Sequence, residues 1–383
     1  MMPPLSRADT SLLGRWWWTV DRWTLLAVGT LIGLGYVMML AASPAVAERI
    51  NQARDVFILK QIFFLAFAGA IVVVVSLLSP RGVRRVALAG CLVALALTAL
   101  TLVAGTEIKG ARRWVSLPGL SLQPSEFLKP CFAVVAAWLL AEGKRTSPDG
   151  RVFGMTRFPG TLAAFAVFAV IALLLKSQPD VGMLAVITGV FFLQLFVEGL
   201  NLAFVGVGLA GMGGAAVAAF TFFPHVRLRV TRFFDPAQGD DYQVQRALEA
   251  FGNGGLLGRG PGEGRVKDVL PDAHADTVFA VAGEEFGMVL CLVILGLFAF
   301  IVLRGLLRLL GEADLFVILA ATGLVASFGL QAFVNMASTL HLIPTKGMTL
   351  PFVSYGGSSA MAVALTIGML LALTRRRHNG ELL

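Results

Sequence analysis

Long apolar stretches alternate with short polar segments along the chain, and each stretch is close to the length that a helix needs to cross a bilayer. This pattern predicts ten transmembrane helices. The predicted spans are residues 23–43, 57–78, 84–104, 124–141, 159–176, 179–197, 200–223, 276–303, 313–341 and 355–374. One long polar loop, residues 224–275, separates the seventh span from the eighth. We therefore expect an all-α polytopic membrane protein.

The composition agrees with this fold class. The chain is 57% hydrophobic and 14% charged, with a mean hydropathy of +0.80, which excludes a soluble domain. The continuous apolar runs also exclude a β-barrel. Its three cysteines all lie inside apolar stretches, so neither a disulfide framework nor a metal-ligand spacing is present. Basic segments beside membrane helices explain the net charge of +8 without a nucleic-acid partner.

Arginines at both ends of the chain predict its orientation. An arm of residues 1–22 precedes the ten-helix domain 23–374, and a tail of residues 375–383 follows it. An even number of spans puts both ends on one side, and their arginines predict that this side is cytoplasmic. The positive-inside bias is clear only when the basic loop 224–275, predicted to be periplasmic, is set aside. We expect those outer charges to have a function.

The segment 270–287 places two aspartates and a histidine directly before an apolar stretch. Ionisable groups are costly at a membrane entrance and usually have a function there. If Asp276 begins the helix, Gly283 and Gly287 lie on the same face, which carries few side chains. That face permits either the close approach of another helix or room for a substrate. The structural alternative is that Asp272 or Asp276 only caps the helix.

Other polar segments on the same predicted side also begin membrane spans. Glu126 lies in the first turn of the fourth span, and Lys129 follows one turn later, either as its surface ion-pair partner or as part of a polar cavity. The segment before Glu126 is typical of a compact turn. Asp180 begins the sixth span, and Lys346 lies on a turn before the tenth. We expect these residues to meet Asp276 around one outward-facing polar cleft.

The long loop carries further candidate chemistry. Arg227, Arg229 and Arg232 alternate with apolar residues, and guanidinium groups near a membrane surface suit a diphosphate or a carboxylate. Residues 242–251 have the period of a short amphipathic helix. The glycines of residues 252–264 lack the spacing of a phosphate-binding P-loop. We predict instead that they form a hinge, which lets the loop re-enter the membrane surface.

Seven motifs in these segments carry a family resemblance. They are G-A-R-R-W from Gly110, L-Q-P-S-E from Leu122, S-Q-P-D from Ser177, Y-Q-V-Q-R-A-L-E-A-F-G-N-G-G-L-L-G-R-G-P-G from Tyr242, L-P-D-A-H-A-D from Leu270, G-E-E-F-G from Gly283 and P-T-K-G-M-T-L-P-F-V-S-Y-G-G-S-S from Pro344. Together they resemble the SEDS family of membrane proteins, named for shape, elongation, division and sporulation, over essentially all ten spans. The G-A-R-R-W and L-P-D-A-H motifs place the resemblance in the division branch rather than in the elongation branch.

The resemblance implies a peptidoglycan glycosyltransferase that polymerises lipid II at the division septum, in the inner membrane of a bacterium. It implies a class B penicillin-binding protein, which is a transpeptidase, and other division proteins as partners. It also implies that Asp276 is the catalytic carboxylate, because Asp276 matches the aspartate of the family motif H-T-D-F. Here the motif reads H-A-D-T, so Ala275 and Thr277 should change the packing around Asp276.

The implied reaction assigns roles to the other candidates. A base takes the proton of the acceptor sugar's 4-hydroxyl while that oxygen attacks C1 of a donor whose leaving group is undecaprenyl diphosphate. We expect Asp276 to be that base. The cations expected to bind the diphosphate are Arg229, Lys129, Lys346 and Arg113. A divalent cation, Mg²⁺ or Mn²⁺, could bridge Asp276, Glu126 or Asp180 to phosphate. No organic cofactor is expected.

Three alternatives stay open at this point. A flippase for lipid-linked precursors would use intramembrane charges in a similar way. Against it, the ionisable residues crowd towards one face, and the sequence shows no internal repeat or matching pair of interrupted helices. A structural scaffold for division proteins leaves the outer charges unexplained. Within the family, an elongation-type polymerase is the alternative to the division branch.

Overall fold

The computed structural model describes residues 11–53, 55–108, 111–117, 120–146, 160–199, 202–234, 242–344 and 347–375. In these ranges the chain is a helical bundle with one small sheet. The helices are α1 Leu12–Thr19, α2 Arg22–Arg49, α3 Val56–Ser76, α4 Pro80–Ala104, α5 Pro124–Thr146, α6 Gly160–Ser177, α7 Val181–Glu198, α8 Leu202–Phe222, α9 Pro224–Phe234, α10 Tyr242–Gly254, α11 Val278–Leu307, α12 Leu315–Thr339 and α13 Gly357–Leu373.

The predicted fold class is confirmed: the chain is a multi-pass helical membrane protein. Eight of the described helices are long and apolar enough to cross a membrane, namely α2 to α7, α11 and α12. The other two predicted spans are α13, a 17-residue apolar helix, and α8, whose 21 residues include no charged side chain. The helix α2 ends at Arg49, beyond the predicted boundary, because it continues through Pro44.

Two segments between the spans contain structure that the apolar pattern did not show. The predicted compact turn before α5 is a three-stranded antiparallel sheet, β1 Thr106–Ile108, β2 Ala111–Leu117 and β3 Leu120–Leu122, in the order β1-β2-β3. The arginines of the G-A-R-R-W motif therefore lie on its central strand. In the long loop, α10 confirms the predicted amphipathic helix, and it is preceded by α9.

The helix α5 lies at the centre of the bundle, where it contacts α4, α6, α7, α12 and α13. Small residues permit this packing, since helices in a membrane gain most from close backbone approach. A Cβ on Gly160 would lie 2.1 Å from the carbonyl oxygen of Leu139, and one on Gly90 would lie 2.7 Å from the sulfur of Cys131. The first two turns of this central helix carry Glu126 and Lys129.

The glycine-rich segment after α10 does not act as the predicted hinge. We call residues 255–268 the strap, because they pack along α11. The buried carboxylate of Glu284 accepts hydrogen bonds from the amides of Arg265 at 2.9 Å and Val266 at 3.1 Å. The buried carboxylate of Glu285 pairs with the ammonium group of Lys267 at 2.6 Å and accepts from the Gly262 amide at 2.9 Å. Two buried acidic side chains thus fix the strap.

The same contacts decide between the two interpretations of the bare face of α11. A Cβ on Gly283 would lie 2.3 Å from the ring of Phe251, and one on Gly287 would lie 2.4 Å from the carbonyl oxygen of Leu256. Gly287 also has φ of 76°, which kinks α11 where the strap crosses it. The glycines therefore allow α10 and the strap to approach closely, and they leave no room for a substrate beside them.

Candidate functional site

A polar cavity of about 780 Å³ lies at one end of the bundle. It is bordered by the second and third turns of α3, by the first turns of α5, α7 and α13 and by the end of α12. The strand β2, the helix α10 and the segment before α11 complete its border. Four of the predicted site residues line it: Asp276, Glu126, Asp180 and Arg113. The fold therefore brings together side chains that are far apart in the sequence.

Asp276 stands on a backbone that neighbouring segments hold at three successive positions. The carbonyl oxygens of residues 274, 275 and 276 accept hydrogen bonds from the amide of Tyr355 at 2.8 Å, the hydroxyl of Ser354 at 2.6 Å and the side-chain amide of Asn335 at 2.9 Å. The donors belong to α12 and to the segment before α13. This arrangement fixes a non-helical stretch and presents Asp276 to the cavity.

Asp276 does not cap α11. The cap position is Thr277, whose hydroxyl donates to the carbonyl oxygen of Pro271 at 3.1 Å, and the helix begins at Val278. A Cβ on Gly347 would lie 3.0 Å from a carboxylate oxygen of Asp276, so the absence of a side chain there leaves space beside the carboxylate. The simple capping interpretation of Asp276 is therefore wrong. It is Thr277, the last residue of the H-A-D-T motif, that occupies the cap position and bonds to the turn.

Lys129 lies behind the wall of the cavity and is neutralised there. Its ammonium group is 2.7 Å from a carboxylate oxygen of Glu126, and both side chains are buried. The same group donates to the side-chain carbonyl of Gln331 at 2.5 Å, and Gln331 donates in turn to the hydroxyl of Ser359 at 3.2 Å. Lys129 is thus part of a hydrogen-bonded network that joins α5, α12 and α13, and its charge already has a partner.

Arg113 and Asp180 hold the start of α7 against the sheet. The guanidinium of Arg113 donates to the carbonyl oxygens of Gln178 at 3.0 Å and Pro179 at 2.6 Å, and it lies 3.7 Å from the carboxylate of Asp180. Asp180 caps α7 by accepting from the Met183 amide at 3.2 Å. Both side chains line the cavity, and both are also engaged by this turn.

Two predicted cations cannot be placed in the cavity. Arg229 belongs to α9, but its side chain lies outside the described part of the structure. Lys346 lies outside the described residues altogether. Their predicted contact with a diphosphate remains a prediction.

Asp276, Glu126 and Asp180, each a candidate to bridge a divalent cation to phosphate, are not grouped into one metal site. Among the described residues, no three His, Cys, Asp or Glu side chains are grouped closely enough to hold a metal ion. Glu126 is paired with Lys129, and Asp180 is engaged with Arg113 and the start of α7. A cation bound beside Asp276 would therefore have to take most of its ligands from water and from substrate phosphates, as Mg²⁺ often does.

Sequence reasoning left out His274, which has a structural role. Its ring packs between those of Phe57 and Tyr355, with both centroids 5.0 Å away. Burial lowers the pKa of His274 to about 4, although the charge of Asp272 opposes this effect. The histidine is thus neutral near pH 7 and stabilises the turn that precedes Asp276.

Lys60 is a cavity residue that sequence reasoning also missed. It lies in the second turn of α3, is exposed, and borders the cavity. The signal was available in the sequence, because Lys60 is a lysine inside an apolar span, as Lys129 is. The two differ in their surroundings, which only the fold determines.

These features define what the site can do chemically. A carboxylate on a fixed backbone can accept a proton from a substrate hydroxyl. The cavity also contains cationic side chains, and its border includes the N-terminal end of α13, which favours anionic groups. The arrangement suits a reaction in which a base removes a proton and an anion leaves.

Comparison with known proteins agrees with this chemistry. Residues 22–379 match the model of the cell cycle proteins FtsW, RodA and SpoVE. A probable peptidoglycan glycosyltransferase FtsW of Caulobacter vibrioides is 43% identical over 377 residues, which cover 97% of this chain and 93% of the relative. The protein of the same name from Halomonas elongata is 37% identical over 378 residues, covering 94% of this chain and 92% of the relative.

Solved structures show the same architecture. A chain of a peptidoglycan synthase complex that coordinates polymerization and crosslinking is 28% identical and has a TM-score of 0.75, covering 93% of this chain and 97% of that one. The rod shape determining protein RodA of Thermus thermophilus is 27% identical and has a TM-score of 0.68, covering 94% and 97%. The chain therefore belongs to the SEDS family of FtsW, RodA and SpoVE cell cycle proteins, and within that family it is similar to the division branch, FtsW.

Proposed function

We propose that this chain is a peptidoglycan glycosyltransferase that polymerises lipid II into glycan strands. One observation carries the proposal: Asp276 lines a polar cavity, and hydrogen bonds to the carbonyl groups of residues 274, 275 and 276 fix its backbone. The chain is also similar along its length to proteins named for this activity. A flippase would not need a carboxylate fixed in this way, whereas proton transfer depends on such geometry.

In the proposed reaction the carboxylate of Asp276 accepts the proton of the acceptor sugar's 4-hydroxyl. The hydroxyl oxygen attacks C1 of the donor sugar and forms the new glycosidic bond. The bond between C1 and the diphosphate oxygen breaks, and its electron pair leaves with undecaprenyl diphosphate. General base catalysis of this kind contributes roughly 10²- to 10⁴-fold to a rate.

The proposed setting is the division septum of the bacterial inner membrane, with the cavity on the periplasmic side and both termini in the cytoplasm. Arginines at both ends of the chain support that orientation. The proposed partner is a class B penicillin-binding protein, supported by the similarity to a chain of a synthase complex that coordinates polymerization and crosslinking. Other division proteins would assemble around this pair.

The test compares the wild-type chain with Asp276→Asn, each purified in detergent and supplied with lipid II and the partner. Asparagine keeps the size of the side chain but cannot take a proton, so glycan formation should fall by about 10²-fold or more. Asp268→Asn is the matched control, because Asp268 is an exposed aspartate of the strap that does not line the cavity. It should polymerise at the wild-type rate.

Detergent separates this function from translocation, which has no meaning without a bilayer. Equal amounts of glycan from the wild-type chain and Asp276→Asn would exclude Asp276 as the base. A wild-type chain that makes no glycan with its partner, but moves lipid II across vesicle membranes, would establish the flippase instead.

A further inference from the structure

The proposed reaction handles substrates that carry a diphosphate, and the cavity must balance its negative charge. Within the described part of the chain, the cationic residues that line the cavity are Lys60 and Arg113. The guanidinium of Arg113 is engaged with two carbonyl oxygens and with Asp180. Lys129, behind the wall, is paired with Glu126. Among these cations, Lys60 is therefore the candidate to balance the charge of the diphosphate.

The ammonium group of Lys60 has no hydrogen bond or ion pair with any described residue. Its position is nevertheless defined by the helix that carries it. Phe64 lies one turn further along α3, on the same face as Lys60, and also lines the cavity. A Cβ on Gly357 would lie 2.7 Å from the ring of Phe64, so this face of α3 packs tightly against the start of α13. The contact directs the Lys60 face towards the cavity.

We propose that Lys60 binds the diphosphate of a lipid-linked substrate in this cavity. The inference rests on the proposed function and deepens it by naming a residue that contacts the anionic group. A lysine ammonium is a compact point charge on a flexible stem, which suits a phosphate that changes position during a reaction. The diphosphate could belong to the leaving group of the donor or to the acceptor, and the experiment distinguishes these sources.

Binding is measured in the Asp276→Asn background, so that turnover does not interfere. The probes are undecaprenyl diphosphate, which reports on the leaving group, and lipid II, which reports on the complete substrate. Lys60→Met keeps most of the stem and removes the charge, and we expect it to weaken binding of at least one probe about tenfold, the effect of one charge-assisted contact. Lys60→Arg should bind within about threefold of the parent, because it keeps the charge.

Lys176→Met is the matched control, because Lys176 is an exposed lysine at the same end of the bundle that does not line the cavity. It should bind both probes as the parent does. A loss confined to lipid II would assign Lys60 to the acceptor, whereas a loss for undecaprenyl diphosphate would assign it to the leaving group. Melting temperatures should be unchanged in all variants, and Lys60→Gln provides a second charge-free variant should Lys60→Met be unstable.

Two results would overturn the inference. One is unchanged binding of both probes by the charge-free variants. The other is an equal loss of affinity for phosphatidylglycerol, since Lys60 would then be a general contact for lipid headgroups. Failure of the proposed function has a different signature: the wild-type chain would make no glycan, while the binding assay, which needs no turnover, would still report on Lys60.

Discussion

Asn335 is a buried residue that holds the backbone of Asp276 in place. Its side-chain amide donates to the backbone carbonyls of Asp276 at 2.9 Å and Met348 at 2.6 Å. Asn335 is fully buried on α12. It therefore joins the segment that carries the carboxylate to the segment that begins with Gly347, which borders that carboxylate. We assign Asn335 as a positioning residue.

Asn335→Ala should lower kcat for glycan polymerisation by about 10- to 100-fold, because small displacements of a catalytic group are costly. The KM for lipid II should change less than kcat does, since the carboxylate is misplaced but the rest of the cavity is intact. Steady-state kinetics of the purified chain with its partner measure both. Thr322→Val, a near-isosteric change at another buried position on α12, is the control and should leave both constants unchanged. Parallel changes in kcat and KM would argue against positioning.

The sequence predicted individual site residues better than it predicted their partners. Asp276, Glu126 and Asp180 stand out because a charge at the start of an apolar span is costly and easily seen. Several contacts of the nearby cations are not local: Lys129 also donates to Gln331, which is 202 residues away, and Arg113 donates to the carbonyl of Gln178, which is 65 residues away. The sequence could therefore suggest the local pair of Glu126 and Lys129, but it could not show that Arg113 is engaged, or that Lys60 lines the cavity without a partner among the described residues.

At the scale of elements, apolar length predicted the spans, whereas the strap was mistaken for a hinge. Glycine-rich polar sequence is typical of flexible loops, and nothing local shows that it is fixed. The order comes from Glu284 and Glu285, buried acidic side chains that bind strap amides and Lys267. Buried carboxylates require such partners, so the acidic pair in the apolar span was the signal for a segment packed against it.

The kink of α11 gives a direct test of the strap. In Gly287→Ala the new Cβ would lie 2.4 Å from the Gly258 amide, at a φ of 76° that other residues rarely adopt. Such strain costs about 1–3 kcal/mol, so the melting temperature should fall. Gly296→Ala on the same helix is the matched control, because its Cβ would meet nothing within 4 Å. The melting temperatures of both variants are measured in detergent. Equal melting temperatures would show that the strap is not packed against Gly287.

For the molecule as a whole, the fold places the cavity at one end of the bundle. The proposed mechanism therefore depends on which side of the membrane that end faces. The segment between α2 and α3 lies at the cavity end, since Lys60 near the start of α3 lines the cavity. The segment between α11 and α12 lies at the opposite end, because α11 begins beside Asp276. Counting basic residues did not settle which end of the bundle faces the cytoplasm, because the predicted outer loop is itself basic.

The cavity must face the periplasm if it acts on lipid II at the septum, and cysteine labelling tests this. The native residues Cys91, Cys131 and Cys291 are buried and provide a silent background. In cells with a permeabilised outer membrane, a membrane-impermeant maleimide should label Gln52→Cys, an exposed position at the cavity end, and should label Ala313→Cys at the opposite end only after lysis. The reverse pattern would place Asp276 on the cytoplasmic side, away from the growing cell wall, and the proposed polymerase could not work there.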